Sequence, residues 1–151
     1  MRKLLTLFFA VIILVGIVGC ARLGKTDGAV IDYGSSEKFS QEEIQAAVDI
    51  VLKEFKTFKG CELKKLWYDE EASNRCIESD LSSDNGGNVI KDNGVQEENA
   101  IYLFSDFYVT PSAENAENSA WNTDFTYTNW RWILARDNKN EVWKVIADGE
   151  G

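Results

Sequence analysis

The chain reads as an α+β domain, with one long N-terminal helix packed on a three- to four-stranded antiparallel sheet. Three observations predict it. Ile44, Ala47, Val48, Val51, Phe55 and Phe58 recur at helical spacing and form one apolar stripe. Residues 99–109 alternate apolar and polar-aromatic in the period of a strand. Two more β-like stretches, 125–136 and 141–147, are joined by the turn Asp137-Asn138-Lys139-Asn140. A helix with one apolar face must bury it, and the apolar face of an antiparallel sheet is the simplest partner.

The chain opens on a different kind of segment. Arg2 and Lys3 precede Leu4 to Val18, an apolar run broken by Thr6 and Gly16. It spans about 15 residues, short of the ~20 that a membrane-crossing helix needs, and has the layout of a secretory signal over 1–19. Ile17-Val18-Gly19-Cys20 resembles the lipobox of bacterial lipoproteins. That resemblance implies cleavage before Cys20, a diacylglycerol on its sulfur and an acyl chain, such as palmitate, on the new N-terminus. Two or three acyl chains make a stable anchor where one does not. The competing readings are an ordinary signal that happens to end in Gly-Cys, or an uncleaved membrane anchor. The expected address is the cell membrane, facing outside the cytoplasm. Residues 20–38 then read as the lipidated cysteine and a flexible tether, because they carry three glycines and no periodic pattern.

Cleavage before Cys20 leaves 132 of the 151 residues, enough for one domain over 39–151. It also removes Arg2 and Lys3, taking the net charge from −9 to −11. An acidic chain of this kind is unsuited to nucleic acid, whose phosphates need Lys and Arg. Broad electrostatic adhesion to anionic lipid is disfavoured for the same reason. There is no histidine, which removes Ser-His-Asp and Cys-His catalysis and the usual catalytic zinc sites. No cofactor and no metal are implied. Cys61 and Cys76 form either a disulfide or two small buried thiols; a bridge closing a loop of about 15 residues is worth ~3 kcal/mol.

The elements follow in order. Ser40 and Glu43 have capping-box spacing, and Phe39 with Ile44 has that of a hydrophobic staple. Lys53, Lys56 and Lys59 suit the C-terminal end of the helix dipole, and Gly60 stops it, so the helix is expected over 41–59. Residues 61–68 read as a strand with Cys61, Leu63 and Trp67 on one face. Asp69, Glu70 and Glu71 begin a short helix running to about Leu81, its inner side formed by Ala72, Cys76 and Leu81. Residues 82–97 are rich in Ser, Asp, Asn and Gly. A calcium loop beginning at Asp80 fails, because Asn85 stands where glycine is required and Lys91 where the terminal Glu belongs, so the stretch reads as a solvated loop. In 99–109, Ile101, Leu103, Ser105, Phe107 and Val109 share one face, and Tyr102, Phe104, Asp106 and Tyr108 the other. A polar stretch over 110–124 holds the sole proline, Pro111. Trp130, Trp132 and Leu134 share a side of the next strand, as do Trp143 and Val145 of the last.

This order of elements, with Leu66-Trp67-Tyr68-Asp69-Glu70 and Trp130-Arg131-Trp132-Ile133-Leu134 as its most specific pieces, resembles a group of small uncharacterised lipoproteins of gut Firmicutes. The likeness covers about 39–149 and brings no catalytic residue with it. More loosely, a helix before a curled antiparallel sheet is similar to cystatin-like and NTF2-like architectures, which host many unrelated functions.

Two functions follow from the residues. The first is a non-catalytic binding or accessory module at the cell surface. The leftover aromatic face and Trp121, in its polar loop, would contact a glycan, peptide or protein partner. The other four tryptophans read as core. The second is a small NTF2-like enzyme using a carboxylate and a tyrosine. Asp106 lies between Tyr102 and Tyr108 on one strand face, where desolvation would raise its pKa. Tyr68 beside Asp69 is a further pair, although Asp69 has a simpler role as helix cap. The non-catalytic reading is the expectation carried forward.

Overall fold

The computed structural model describes residues 23–84, 86–111 and 121–151. Residues 1–19, expected to be a signal segment, and Cys20, the expected lipidation site, lie outside the described residues. Five strands form one open sheet: β1 (Val30–Asp32), β2 (Cys61–Trp67), β3 (Ala100–Val109), β4 (Phe125–Ala135) and β5 (Lys144–Gly149), adjacent in that order. Neighbours from β2 to β5 run antiparallel, and β1 joins the edge parallel to β2. Three helices accompany them: α1 (Gln41–Phe55), α2 (Glu70–Ser82) and the short α3 (Val89–Asp92). The fold is α+β, with one strand more than expected. Among the described residues no helix is long and apolar enough to cross a membrane.

The start of α1 follows its sequence signature. Ser40 Oγ accepts from the Glu43 amide, Glu43 Oε2 accepts from the Ser40 amide, and Phe39 and Ile44 are both buried. Ile44, Ala47, Val48, Val51 and Phe55 pack on one sheet face against Leu63, Leu66, Leu103, Phe107 and Trp132. Full burial of each large apolar side chain contributes about 1.5–3 kcal/mol.

The helix ends sooner than the expected 59. The Thr57 amide and hydroxyl both donate to Glu54 O, and Phe58 N donates to Phe55 O, tightening the chain into three-residue turns. Phe58 thereby lays its ring 5.1 Å from that of Trp132. Lys56 and Lys59 sit in this turn rather than on the helix.

The expected tether is largely built into the sheet. Lys25 pairs with Glu62, and Val30–Asp32 pairs with Lys65–Trp67, so these backbone groups cover the open edge of β2. Two of the glycines read as flexibility have positional jobs. A Cβ on Gly24 would stand 2.1 Å from Phe55 O, and Gly34 adopts φ +58° with Tyr68 O 2.5 Å from its Cβ position. Farther on, Glu70 accepts from Ser36 Oγ and from the amides of Glu37 and Lys38.

Bulges reassign several side chains. Lys64 is an extra residue between the paired Leu63 and Lys65. Cys61, Leu63 and Leu66 therefore face α1, and Trp67 turns to the other side, against the expectation that it joins Cys61 and Leu63. In β4, Thr128 and Asn129 together oppose Asp106, with Asn129 at φ 55°.

The second face carries its own small core of Ile77, Ile90, Ala100, Tyr102 and Phe104 beneath α2 and α3. Asp69 caps α2 by accepting from the Ala72 amide. The inward residues of α2 are Ser73 and Ile77, while Ala72, Cys76 and Leu81 flank them half-buried, one position off the expected stripe. The reason is Ser73, whose hydroxyl accepts from the Tyr102 amide 3.0 Å away. Residues 82–97 contain α3, whose Ile90 is fully buried, so this stretch is not a purely solvated loop.

The disulfide left open by the sequence does not form. Both cysteines are free, Cys61 packed with the α1 core and Cys76 against the α2 core, with the sheet between them.

Candidate functional site: a groove between the second helix and the sheet

Between α2 and the sheet lies a groove of about 800 Å³. Its floor is Trp67, Phe104 and Tyr102 from β2 and β3, together with Arg131 from β4; its wall is Ala72, Arg75, Cys76, Ser79 and Asp80 from α2. Ser83 and Asn88, from the connection to α3, close one side. Strand alternation puts Tyr102, Phe104 and Arg131 on this face, since Leu103 and Trp132 point to the α1 core. The Lys64 bulge delivers Trp67 to it as well. Trp67 and Phe104 stack at 5.9 Å with an interplanar angle of 28°, forming a flat apolar shelf, and Lys65 Nζ lies 4.7 Å from the Trp67 ring centroid.

The polar groups divide into committed and free. Asp80 Oδ1 accepts from the amides of Ile90 and Lys91, and its Oδ2 accepts from the Tyr102 hydroxyl at 3.4 Å. It clamps α2, α3 and β3 together. Arg75 pairs with Glu71 one turn earlier. Arg131 forms no ion pair with an Asp or Glu side chain among the described residues, and its positive charge acts on both Cys76 and Tyr102.

Burial pushes the Tyr102 phenol well above its ordinary range, reinforced by the Asp80 carboxylate, and burial also raises the Cys76 thiol. Both stay protonated at neutral pH. The groove thus presents a cation and an aromatic shelf beside a neutral phenol and a neutral thiol. Among the described residues no three His, Cys, Asp or Glu side chains are placed to hold a metal ion.

The enzyme alternative named Asp106, Tyr102 and Tyr108, and the structure does not bring their polar ends together. Tyr102 is tied to Asp80. Asp106 Oδ1 accepts from the Asn129 amide, fastening the β4 bulge, and Tyr108 donates to Asp124 Oδ1 at 2.6 Å. That bond raises the exposed Tyr108 phenol. Tyr102 and Tyr108 stand six residues apart on one strand, about 20 Å at ~3.3 Å per residue. Tyr68, the other tyrosine considered, is buried against Phe39 with its hydroxyl near Ser36, apart from the Asp69 cap.

Trp121 is half-buried on the opposite sheet face. Its ring lies 5.2 Å from Phe58 and 5.1 Å from Trp130, at the edge of the α1 core, and it borders a hollow of about 310 Å³ with Tyr127, Trp130 and Glu150.

Sequence reasoning missed Arg131 as a site residue and weighed Asp80 only as a calcium ligand. The alternation of β4 carried a signal for Arg131, since it separates Arg131 from the two tryptophans beside it. The bulge that turns Trp67 had no signal in the sequence. Comparison with family models, with curated proteins and with solved structures gives no match for this chain.

Proposed function

We propose that this chain is a lipid-anchored extracytoplasmic binding module without enzymatic activity, and that its ligand is a small molecule with an anionic group and a flat apolar body. One observation carries the ligand reading: Arg131, with no ion pair to an Asp or Glu side chain among the described residues and with Gly151 against its guanidinium, lines the groove beside the stacked Trp67 and Phe104. A guanidinium in a partly desolvated cleft favours a carboxylate or phosphate, with which it makes paired hydrogen bonds. The aromatic shelf would take the ligand's ring or sugar face. The anchor reading is supported by Ile17-Val18-Gly19-Cys20 after its apolar run. The likeness to cystatin-like or NTF2-like folds is supported by α1 lying across an antiparallel sheet, and it is an analogy of architecture only.

The experiment is a panel of aromatic carboxylates, aryl phosphates and uronic acids, matched with their neutral analogues and read by thermal shift and tryptophan fluorescence. Anionic members should stabilise the protein and neutral ones should not. Arg131→Ala should weaken the best binder about tenfold or more, with Arg131→Lys in between. Equal response to charged and neutral members, or no effect of Arg131→Ala, sinks the ligand reading. Intact mass of the mature protein checks the anchor, since Cys20 must carry acyl chains.

A further inference from the structure

A second concave site lies on the α1 side of the sheet, across from the groove. It is a hollow of about 310 Å³ bordered by Trp121, Tyr127, Trp130 and Glu150, at the small end of the range for small-molecule sites. Its walls depend on the bulge in β4. An uninterrupted strand would put Tyr127 and Trp130, three residues apart, on opposite faces. Because Thr128 and Asn129 together oppose Asp106, Tyr127 returns to the Trp130 face and stacks on Phe107. Asp106 holds the bulge by accepting from the Asn129 amide. Asp124 at φ 54° and Asn129 at φ 55° bracket this stretch, and they are the non-glycine residues at positive φ among the described residues. Such backbone is uncommon away from glycine, and here its result is to bring the rings together.

The three rings meet as a corner rather than as a flat platform. Trp121 and Tyr127 lie 5.2 Å apart at 80°, Tyr127 and Trp130 5.7 Å apart at 82°, and the two indoles 5.1 Å apart at 46°. The Tyr127 hydroxyl accepts from the Asn122 amide, which fixes the backbone next to Trp121. The charged groups at this corner are acids. Glu150 borders the hollow, and Asp148 Oδ1 accepts from Trp130 Nε1 at 3.0 Å. Desolvation raises the Asp148 carboxyl above its ordinary pKa, against the Trp130 hydrogen bond, and the charge of Glu54 raises it further. Lys53, Lys56 and Lys59 belong to the same end of the molecule, yet none of them borders the hollow or acts on Asp148.

We propose that this corner binds a small soluble quaternary ammonium compound, its methyl groups against Trp121, Tyr127 and Trp130 and its charge balanced by Glu150 and Asp148. It is a second site, independent of the groove and of the anionic ligand assigned there. Aromatic faces attract cations through the ring quadrupole, and Trp does so most strongly. A primary ammonium would need acceptors for three N–H groups. The rings supply none, the Tyr127 hydroxyl is engaged by Asn122, and Asp148 by Trp130. A quaternary ammonium has no N–H to satisfy, so it enters an aromatic hollow without leaving a donor unpaired. A neutral molecule of the same shape gains the ring contacts but not the carboxylates.

The test titrates the purified full chain with choline chloride and with tetramethylammonium chloride, read by tryptophan fluorescence and isothermal calorimetry. Two controls separate charge from shape. The neutral isostere of choline, with a quaternary carbon in place of the nitrogen, keeps the shape, and ammonium chloride keeps the charge. Both quaternary salts should bind saturably, and neither control should. Trp121→Ala should weaken choline binding about tenfold. Glu150→Gln alters only the charge of an exposed side chain, so the fold is kept, and it should weaken binding several-fold. Binding of the neutral isostere as tight as that of choline would reduce the hollow to an apolar cleft and overturn the proposal. So would tighter binding of ammonium than of tetramethylammonium, no saturation by either quaternary salt, or a choline affinity unchanged in both variants.

Discussion

Arg136 and Glu43 join the end of β4 to the first turn of α1 through an almost buried ion pair, Nη2 to Oε1 at 2.7 Å, with side chains 5 % and 19 % exposed. The same guanidinium lies 4.3 Å from the Trp143 ring centroid, and Trp143 Nε1 donates to Glu43 O. Glu43 therefore serves three partners: the Ser40 amide, Arg136 and, through its carbonyl, Trp143. Burial opposes its ionisation, but the Ser40 hydrogen bond and the Arg136 charge outweigh that and hold the carboxyl below its ordinary pKa.

Removing one partner of such a pair leaves the other charge buried without compensation. Glu43→Gln should cost about 3 kcal/mol, and urea unfolding at neutral pH measures it. The pH dependence has a definite sign. Because Glu43 is depressed in the fold, its contribution is present above the unfolded value near 4.3 and disappears as pH falls through the lower folded value. Stability of the parent protein should decline on acidification below about pH 4.3. The Gln variant should lose part of that dependence, the remainder shared by Glu70, whose carboxyl is likewise held down against its burial by the Glu37 amide, the Ser36 hydroxyl and the Lys38 amide, and by Glu62, held down by Lys64 and Lys25. A Gln variant with the full parental slope would contradict the assignment.

Ser73 Oγ accepts the Tyr102 amide where β2 has already ended, so α2 completes the hydrogen bonding of β3. Ser73→Ala leaves that buried N–H without an acceptor and should cost roughly 1–3 kcal/mol. Hydrogen exchange at the Tyr102 amide should speed up more than at Leu103 next to it. Uniform acceleration along β3 would mean the bond carries nothing specific.

Cys61 and Cys76 should titrate as two free thiols in the denatured, unreduced protein. In the native state Cys61 should resist an aqueous thiol reagent, because it is buried and burial pushes its pKa up to about 11. Cys76, half-buried in the groove, should react first. Loss of both thiols without reductant, with a single bridged peptide on digestion, would refute the separation of these residues across the sheet.

Gly24→Ala tests the welded entry segment. A Cβ 2.1 Å from Phe55 O cannot be accommodated without moving backbone. The variant should lose about 1–3 kcal/mol, the cost of overpacking, and the Leu63 amide that donates to Lys25 O should exchange faster. Unchanged exchange at Leu63 would show that 24–26 is not held to β2.

Much of this architecture was legible in local pattern. The capping box, the stripe from Ile44 to Phe55 and the alternation of β3 each follow from neighbours within a few residues, and each is present in the fold. The site was less legible. Its aromatic shelf depends on one inserted residue, Lys64, and its cation, Arg131, looks like an ordinary strand residue until α2 is placed above it. Asp106 drew attention through its aromatic neighbours, yet its partner is the backbone of a bulge in another strand.

By itself the sequence determined the chain's class, α+β, because helix and strand periods and caps are local properties written into consecutive residues. Tertiary structure alone decided that β1 is drawn from the supposed tether, that Trp67 faces α2, and that Cys61 and Cys76 stand on opposite sides of the sheet. The physical reason is common to all three. Edge pairing, bulges and close backbone approach are set by contacts between residues far apart in the chain, and a one-residue shift in a strand sends every later side chain to the other face.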